Sequence, residues 1–204
     1  MPFVNGARLT TAGLFLLGCL PAAWLLGAAF TGQLGANPTE ALIRQLGEWG
    51  LRFLLLTLAA TPINRFFKWG LLLRHRRMIG LFAFVYAVLH FCAFIWFDHF
   101  FDWGELLRDI LKRPFITLGM AAWLLLLPLA ITSGRWAVRR MGYRHWVTLH
   151  RLIYPAAVLV IVHFFMLVKA DLREPIIYGA LLFLLLLTRL YRPGGKARQR
   201  RVSG

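Results

Sequence analysis

The sequence predicts an all-α, polytopic membrane protein of six transmembrane helices with both termini cytoplasmic, and three observations predict it. Over 204 residues the chain is 59% hydrophobic and only 16% charged, a composition of lipid-embedded rather than soluble domains. Six apolar stretches approach the roughly 20 residues a helix needs to cross a bilayer core. The charges between those stretches are split by sign onto alternating sides.

The first stretch is Leu9 to Phe30, with Arg8 leading in. A cleaved signal peptide is the rival reading, with Pro21-Ala22-Ala23 near a plausible cut, but the apolar run continues through Trp24, Leu25 and Leu26 to Phe30, beyond the roughly 7 to 15 residues of a signal core. Trp49 to Phe67 is the second, Met78 to Phe97 the third and Phe115 to Ser133 the fourth. Val147 to Val168 is the fifth, with Pro155 inside it, and the short Ile176 to Leu190 is the sixth. Residues 1–191 thus form one transmembrane bundle and 192–204, with Pro193, Gly194 and Gly195, a basic cytoplasmic tail. The connections Thr31 to Glu48 and Asp98 to Arg113 are short enough to dock a partner but not to enclose a substrate.

With the N-terminus in the cytoplasm, the inner side carries Arg8; Arg65, Lys68, Arg74, Arg76 and Arg77; Arg135, Arg139, Arg140, Arg144 and Arg151; and Arg189, Arg192, Lys196, Arg198, Arg200 and Arg201. The outer side carries Arg44, Arg52, Arg108, Lys112, Arg113, Lys169 and Arg173 together with every acidic residue: Glu40, Glu48, Asp98, Asp102, Glu105, Asp109, Asp171 and Glu174. The positive-inside rule then sets the orientation. A net charge of +16 suits nucleic acid in a soluble protein, but here the cations cap membrane helices and meet anionic lipid headgroups, so nucleic acid is not an expected partner. Cys19 and Cys92 lie inside apolar runs and read as small hydrophobes. With no C-x-x-C-H, any haem is held non-covalently.

Ionisable side chains inside a membrane are costly and point to function. His90 lies roughly 18 Å from the cytoplasmic start of the third span and His163 about 8 Å from the outer end of the fifth, at about 1.5 Å per residue, so the two share a height. His150 sits near the cytoplasmic face, about 20 Å along the same helix from His163. Imidazole is a natural axial ligand for haem iron, and His90 with His163 are placed to clamp one haem between the third and fifth helices. On an ideal helix His150 and His163 are about 140° apart, and Pro155 between them is positioned to kink or rewind it. The plainer reading of all three is histidines hydrogen-bonded to neighbouring helices.

His75, His99 and His145 fall in loops or at their edges, where a solvated face is expected. His75, His145, Arg76 and Arg77 are candidates for the partner of His150. Arg52, just inside the outer end of the second span, either snorkels to the headgroups or pairs with a haem propionate. Trp49, Trp69, Trp96 and Trp103 read as interfacial anchors, and Phe82, Phe84, Phe91, Phe94, Phe164 and Phe165 as helix packing or the wall of a porphyrin.

Arg76-Arg77-Met78-Ile79-Gly80-Leu81 opening the third span, Leu89-His90, Lys112-Arg113-Pro114-Phe115, Leu149-His150-Arg151-Leu152-Ile153-Tyr154 and His163 together resemble the MsrQ (YedZ) family, related to ferric reductase-like transmembrane domains. The resemblance spans nearly the whole chain. It implies a non-catalytic electron-transfer subunit of the bacterial inner membrane with one or two b haems, ligated by His90, His163 and His150. Electrons would pass from the quinone pool or a cytoplasmic flavin reductase to a periplasmic molybdopterin-containing subunit that reduces methionine sulfoxide in oxidised envelope proteins. It also implies association with FMN. Relatives commonly carry two histidine pairs, where this chain has one pair plus His150.

Two other functions compete. A stand-alone ferric or metal-chelate reductase would need a nucleotide-binding domain, and no G-x-G-x-x-G follows a strand here. A transporter or scaffold with structural histidines would be expected to carry charged midplane residues, and no acidic residue lies there.

Overall fold

The computed structural model describes residues 3–168 and 170–190; the basic tail 192–204 and Lys169 lie outside the described residues. The described chain is all helical: α1 (Phe3–Phe30), α2 (Pro38–Phe67), α3 (Leu71–Phe97), α4 (Trp103–Lys112), α5 (Pro114–Ile131), α6 (Arg135–Met141), α7 (Tyr143–His150), α8 (Ile153–Leu167) and α9 (Arg173–Leu190). Among the described residues, four segments are long and apolar enough to cross a membrane: Arg8–Phe30, Leu71–Phe97, Pro114–Ile131 and Tyr143–Leu167. The stretches Trp49–Phe67 and Ile176–Leu190 are helical too, as parts of α2 and α9. In these two, charges closely bound the apolar run on both sides: Glu48 and Arg52, then Arg65, in α2, and Arg173 and Glu174, then Arg189, in α9.

Local chemistry explains where the helices depart from the apolar stretches. α2 starts at Pro38 rather than Trp49 because Asn37 caps it, its Oδ1 accepting from the Glu40 N–H at 3.5 Å while its amide donates to Glu40 Oε2 at 2.8 Å, with proline at the first helical position. The outer connection after α3 holds the amphipathic α4, capped by Asp102 accepting from the Glu105 N–H at 2.9 Å. The fifth stretch is two helices. Pro155 has no N–H to offer the Arg151 carbonyl, which instead accepts from Tyr154 at 3.0 Å, while Arg151 and Leu152 donate three residues back to Thr148 and Leu149. The break therefore falls at residues 151–152, one turn before the proline.

α1 contains a second irregularity, at Pro21. The buried Tyr86 hydroxyl of α3 accepts from the Ala22 N–H and donates to the Gly18 carbonyl, both at 2.9 Å. It thereby stands in the place of a helical i→i−4 bond, one of the recognised causes of a bent helix.

The closest-packed pairs are α2 with α3 and α5 with α8. One apolar core joins Leu51, Leu54, Leu55 and Leu58 of α2 to Ala83, Leu126, Ala156, Ala157, Ile161, Phe164 and Leu182, and a second joins Leu25 and Ala28 of α1 to Leu46, Phe82 and Tyr86. Ala83, Ala156 and Ala157 are the small residues that let membrane helices approach. Trp24, Phe15 and Leu16 of α1 and Phe183, Leu184 and Leu187 of α9 are exposed, as a lipid-facing surface requires.

Candidate functional site

His90 on α3 and His163 on α8 meet between the helix pairs, their ring centroids 6.4 Å apart and their planes at 79°. Each is held in the same way. His90 Nδ1 lies 2.8 Å from the Ile43 carbonyl of α2, and His163 Nδ1 lies 2.6 Å from the Phe115 carbonyl of α5. A carbonyl only accepts, so Nδ1 carries the proton in both rings and the Nε2 lone pair is left for a metal. One turn beyond each carbonyl stands a glycine. A Cβ on Gly47 would come within 3.0 Å of His90 Nδ1, and one on Gly119 within 3.0 Å of His163 Cε1 and Nδ1. Two Gly–carbonyl cradles therefore seat two imidazoles.

The fit to an iron porphyrin rests on this geometry. Two imidazoles holding one metal from opposite sides at about 2.0–2.1 Å, a distance typical of metal–imidazole bonds, would have ring centres roughly 6 Å apart. The observed 6.4 Å meets that requirement. Around the pair, the Phe91 and Phe84 rings lie 5.3 and 6.0 Å from that of Trp123, one turn along α5 from Gly119. The Trp123 indole N–H is buried with no partner among the described residues. Phe82 packs instead against Phe53 and Phe15, Phe94 against His99, and Phe164 against Tyr178.

His150 ends α7, on the far side of the break from His163. Its ring stacks on Trp146 at 4.0 Å and its Nδ1 lies 3.1 Å from the Trp146 carbonyl. Arg76 is within electrostatic reach of it, whereas Arg77 is exposed. His75 is turned toward α1, with Nε2 3.1 Å from Thr11 Oγ1, and His145 is exposed.

Arg52 is engaged within the chain: it donates to Glu48 Oε2 at 2.9 Å and to the Tyr178 hydroxyl at 2.8 Å, and its guanidinium lies 4.7 Å from the Trp49 ring. The acidic partner and Tyr178 emerge only when α2 meets α9.

The expectation that His99 is solvated is corrected. His99 is 5% exposed, its ring 4.6 Å from Phe94 and its Nε2 3.5 Å from Asp109. The left-handed turn at Phe100 and Phe101, φ 45° and 63°, folds it under α4. Just outside α3, burial raises the Asp98 carboxyl above the ordinary carboxylate range, against the opposing pull of His99. Asp102, which accepts the cap bond from Glu105, is held below that range.

Sequence reasoning missed Gly47, Gly119, Ile43, Phe115 and Trp123. The available signal is weak: a glycine inside a helical pattern costs about 1 kcal/mol against alanine and so implies a packing reason, but it does not say which neighbour requires it.

Residues 46–161 match the family model described as the ferric reductase like transmembrane component. Over 198 residues the chain is 54% identical to a Rhodospirillum rubrum protein named the protein-methionine-sulfoxide reductase heme-binding subunit MsrQ, covering 97% of this chain and 93% of the relative. The proteins of the same name from Caulobacter vibrioides and Herminiimonas arsenicoxydans are 54% and 51% identical over 180 residues, covering 88% and 87% of this chain and 86% and 83% of theirs.

Proposed function

The chain belongs to the MsrQ family of haem-binding subunits with a ferric reductase-like transmembrane component, and from that membership we propose that it is a b-type cytochrome subunit of a protein-methionine-sulfoxide reductase system. It takes electrons from the quinone pool or a cytoplasmic flavin reductase and delivers them across the inner membrane to a periplasmic molybdopterin-containing subunit, which performs the reduction. The observation that most supports this is the His90–His163 pair, two imidazoles 6.4 Å apart with each Nδ1 on a backbone carbonyl. Six spans with both termini cytoplasmic complete the proposal, supported by the confinement of all eight acidic residues to one set of connections.

Haem, when bound, supplies reversible one-electron exchange at its iron. The residues do the rest. His90 and His163 would hold the iron through Nε2, and the carbonyls of Ile43 and Phe115 would fix their tautomer and raise the basicity of those nitrogens. Phe84, Phe91 and Trp123 keep water from the gap. His150, with Arg76 beside it, is placed to hold a second haem toward the cytoplasmic side, and Arg52 to set the charge near the outer one. FMN, which the family resemblance adds, is proposed as a non-covalent flavin released on denaturation of the purified protein.

Oxidised and dithionite-reduced visible spectra with haem-to-protein ratios test the reading. A b-type spectrum is expected, abolished in His90→Ala and His163→Ala. His150→Ala should lose one of two haems while keeping the other. A wild-type protein that takes up no haem under adequate haem supply would overturn the proposal.

A further inference from the structure

At the opposite end of the bundle from Asp98, α2, α8 and α9 border an open cleft of about 260 Å³ lined by Thr61, Pro62, Arg65, Tyr154, Thr188 and Arg189. Arg189 donates to the Tyr154 hydroxyl at 2.7 Å and to the Leu58 carbonyl at 2.9 Å, and its Nε is buried without a partner among the described residues. Arg65 reaches the Thr188 carbonyl at 3.4 Å. Arg76 lies within electrostatic reach of both Arg189 and Tyr154. Two guanidiniums thus line the cleft, and the oxygens that receive bonds from Arg65 and Arg189 are neutral.

Among the described residues no negative charge lies at this end to balance them. No Asp or Glu occurs in residues 49–97, 110–168 or 175–190, which include the described segments at this end. Neighbouring like charges repel, and a buried donor without a partner, here Arg189 Nε, costs free energy, so the arrangement calls for an anion from outside the chain. Guanidinium matches phosphate through paired N–H bonds. Phe66, Phe67, Leu187 and Leu190, on the same helix ends, are exposed and offer an apolar surface beside the charged cleft, the combination an amphiphile presents in reverse.

We propose that this cleft is a binding site for a phosphate ester, seated between Arg65 and Arg189, with the headgroup of an anionic phospholipid as its source. The inference does not rest on the haem reading.

The test uses the full chain, purified in mild detergent and placed in nanodiscs of phosphatidylcholine with or without phosphatidylglycerol. Phospholipid retained through delipidation is measured by native mass spectrometry, and thermal stability is followed in parallel. The wild type should retain phosphatidylglycerol. Arg65→Gln and the charge-conserving Arg189→Lys should each lower retention at least about tenfold, the scale of a lost charge-assisted bond. The exposed pair Arg139→Gln and Arg140→Gln should leave it unchanged. Unaltered helical content and haem ratio identify variants that fold, and Arg65→Gln, whose side chain is exposed, keeps the test alive if Arg189 proves structurally indispensable. Glycerol 3-phosphate and inorganic phosphate form the second arm. If they stabilise the lipid-free protein and displace phosphatidylglycerol, the phosphate site stands and its source is a soluble ester. Retention equal in all variants, or no response to either phosphate source, overturns the proposal.

Discussion

Gly119→Ala is the sharpest probe of the two imidazole cradles. The added methyl would stand 3.0 Å from His163 Cε1 and Nδ1, where carbon contacts settle at about 3.5–4.0 Å, so the ring must retreat by roughly 0.5 Å. In the haem-free protein it can do so by lengthening its 2.6 Å bond to the Phe115 carbonyl, which costs part of the 0.5–1.5 kcal/mol such a bond contributes. With iron bound the ring is pinned and the overpacking cost, about 1–3 kcal/mol, is retained. The gain in helix propensity from replacing glycine, about 1 kcal/mol, is common to both forms and cancels. Haem affinity therefore isolates the clash, and a net loss of about 1.5 kcal/mol weakens it about tenfold. Gly47→Ala, with 3.0 Å to His90 Nδ1, should behave alike. Gly27→Ala, whose Cβ meets nothing within 4 Å, is the control. The assay is the rate of haem transfer to an excess of apomyoglobin, followed at the Soret band. Wild-type transfer rates in both cradle variants would refute the account of how the ligands are held.

Tyr86→Phe removes the hydroxyl inserted in α1 and should destabilise the fold by about 1 kcal/mol in a denaturation titration, the low end of the usual range because the Ala22 N–H and Gly18 carbonyl are then free to close on each other. Arg52→Gln strips the buried Glu48 of its 2.9 Å partner; it should cost about 1–2 kcal/mol at this partly exposed site and lower the haem midpoint potential, since a lost cation disfavours the added electron. Unchanged haem content and potential would separate Arg52 from the cofactor. Asp98 and Asp102 should give the outer connection opposite pH responses. The raised Asp98 pKa means stability falls as pH climbs from the ordinary carboxylate value through the folded one. The depressed Asp102 pKa means its contribution is present above the ordinary value and lost as pH falls through the folded one. Amide exchange of α4 as a function of pH should lose the first response in Asp98→Asn and the second in Asp102→Asn.

The helices and the histidine pair are legible in the sequence because depth follows from a fixed rise per residue: counting from the ends of two apolar stretches puts His90 and His163 at one height, and the structure sets their rings 6.4 Å apart. The break before α8 is signalled by Pro155, although the missing N–H acts one turn earlier, at residues 151–152. What contacts each imidazole is not legible, since it depends on which face of α2 meets α3 and which of α5 meets α8. For the same reason Arg52 reads as a headgroup or propionate partner until Tyr178 arrives from α9. His99 misleads because loop position suggests solvent, while two consecutive left-handed residues, Phe100 and Phe101, bury it.

The twofold repetition of the cradle also sets an order of assembly. α2 and α3 are separated only by residues 68–70, whereas α6 and α7 intervene between α5 and α8. During synthesis and insertion, the His90 half is therefore complete while the His163 half has yet to emerge. A haem held by both imidazoles, as proposed above, would then be the last tie between the two hairpins, and a nascent chain halted after α5 would offer it His90 alone.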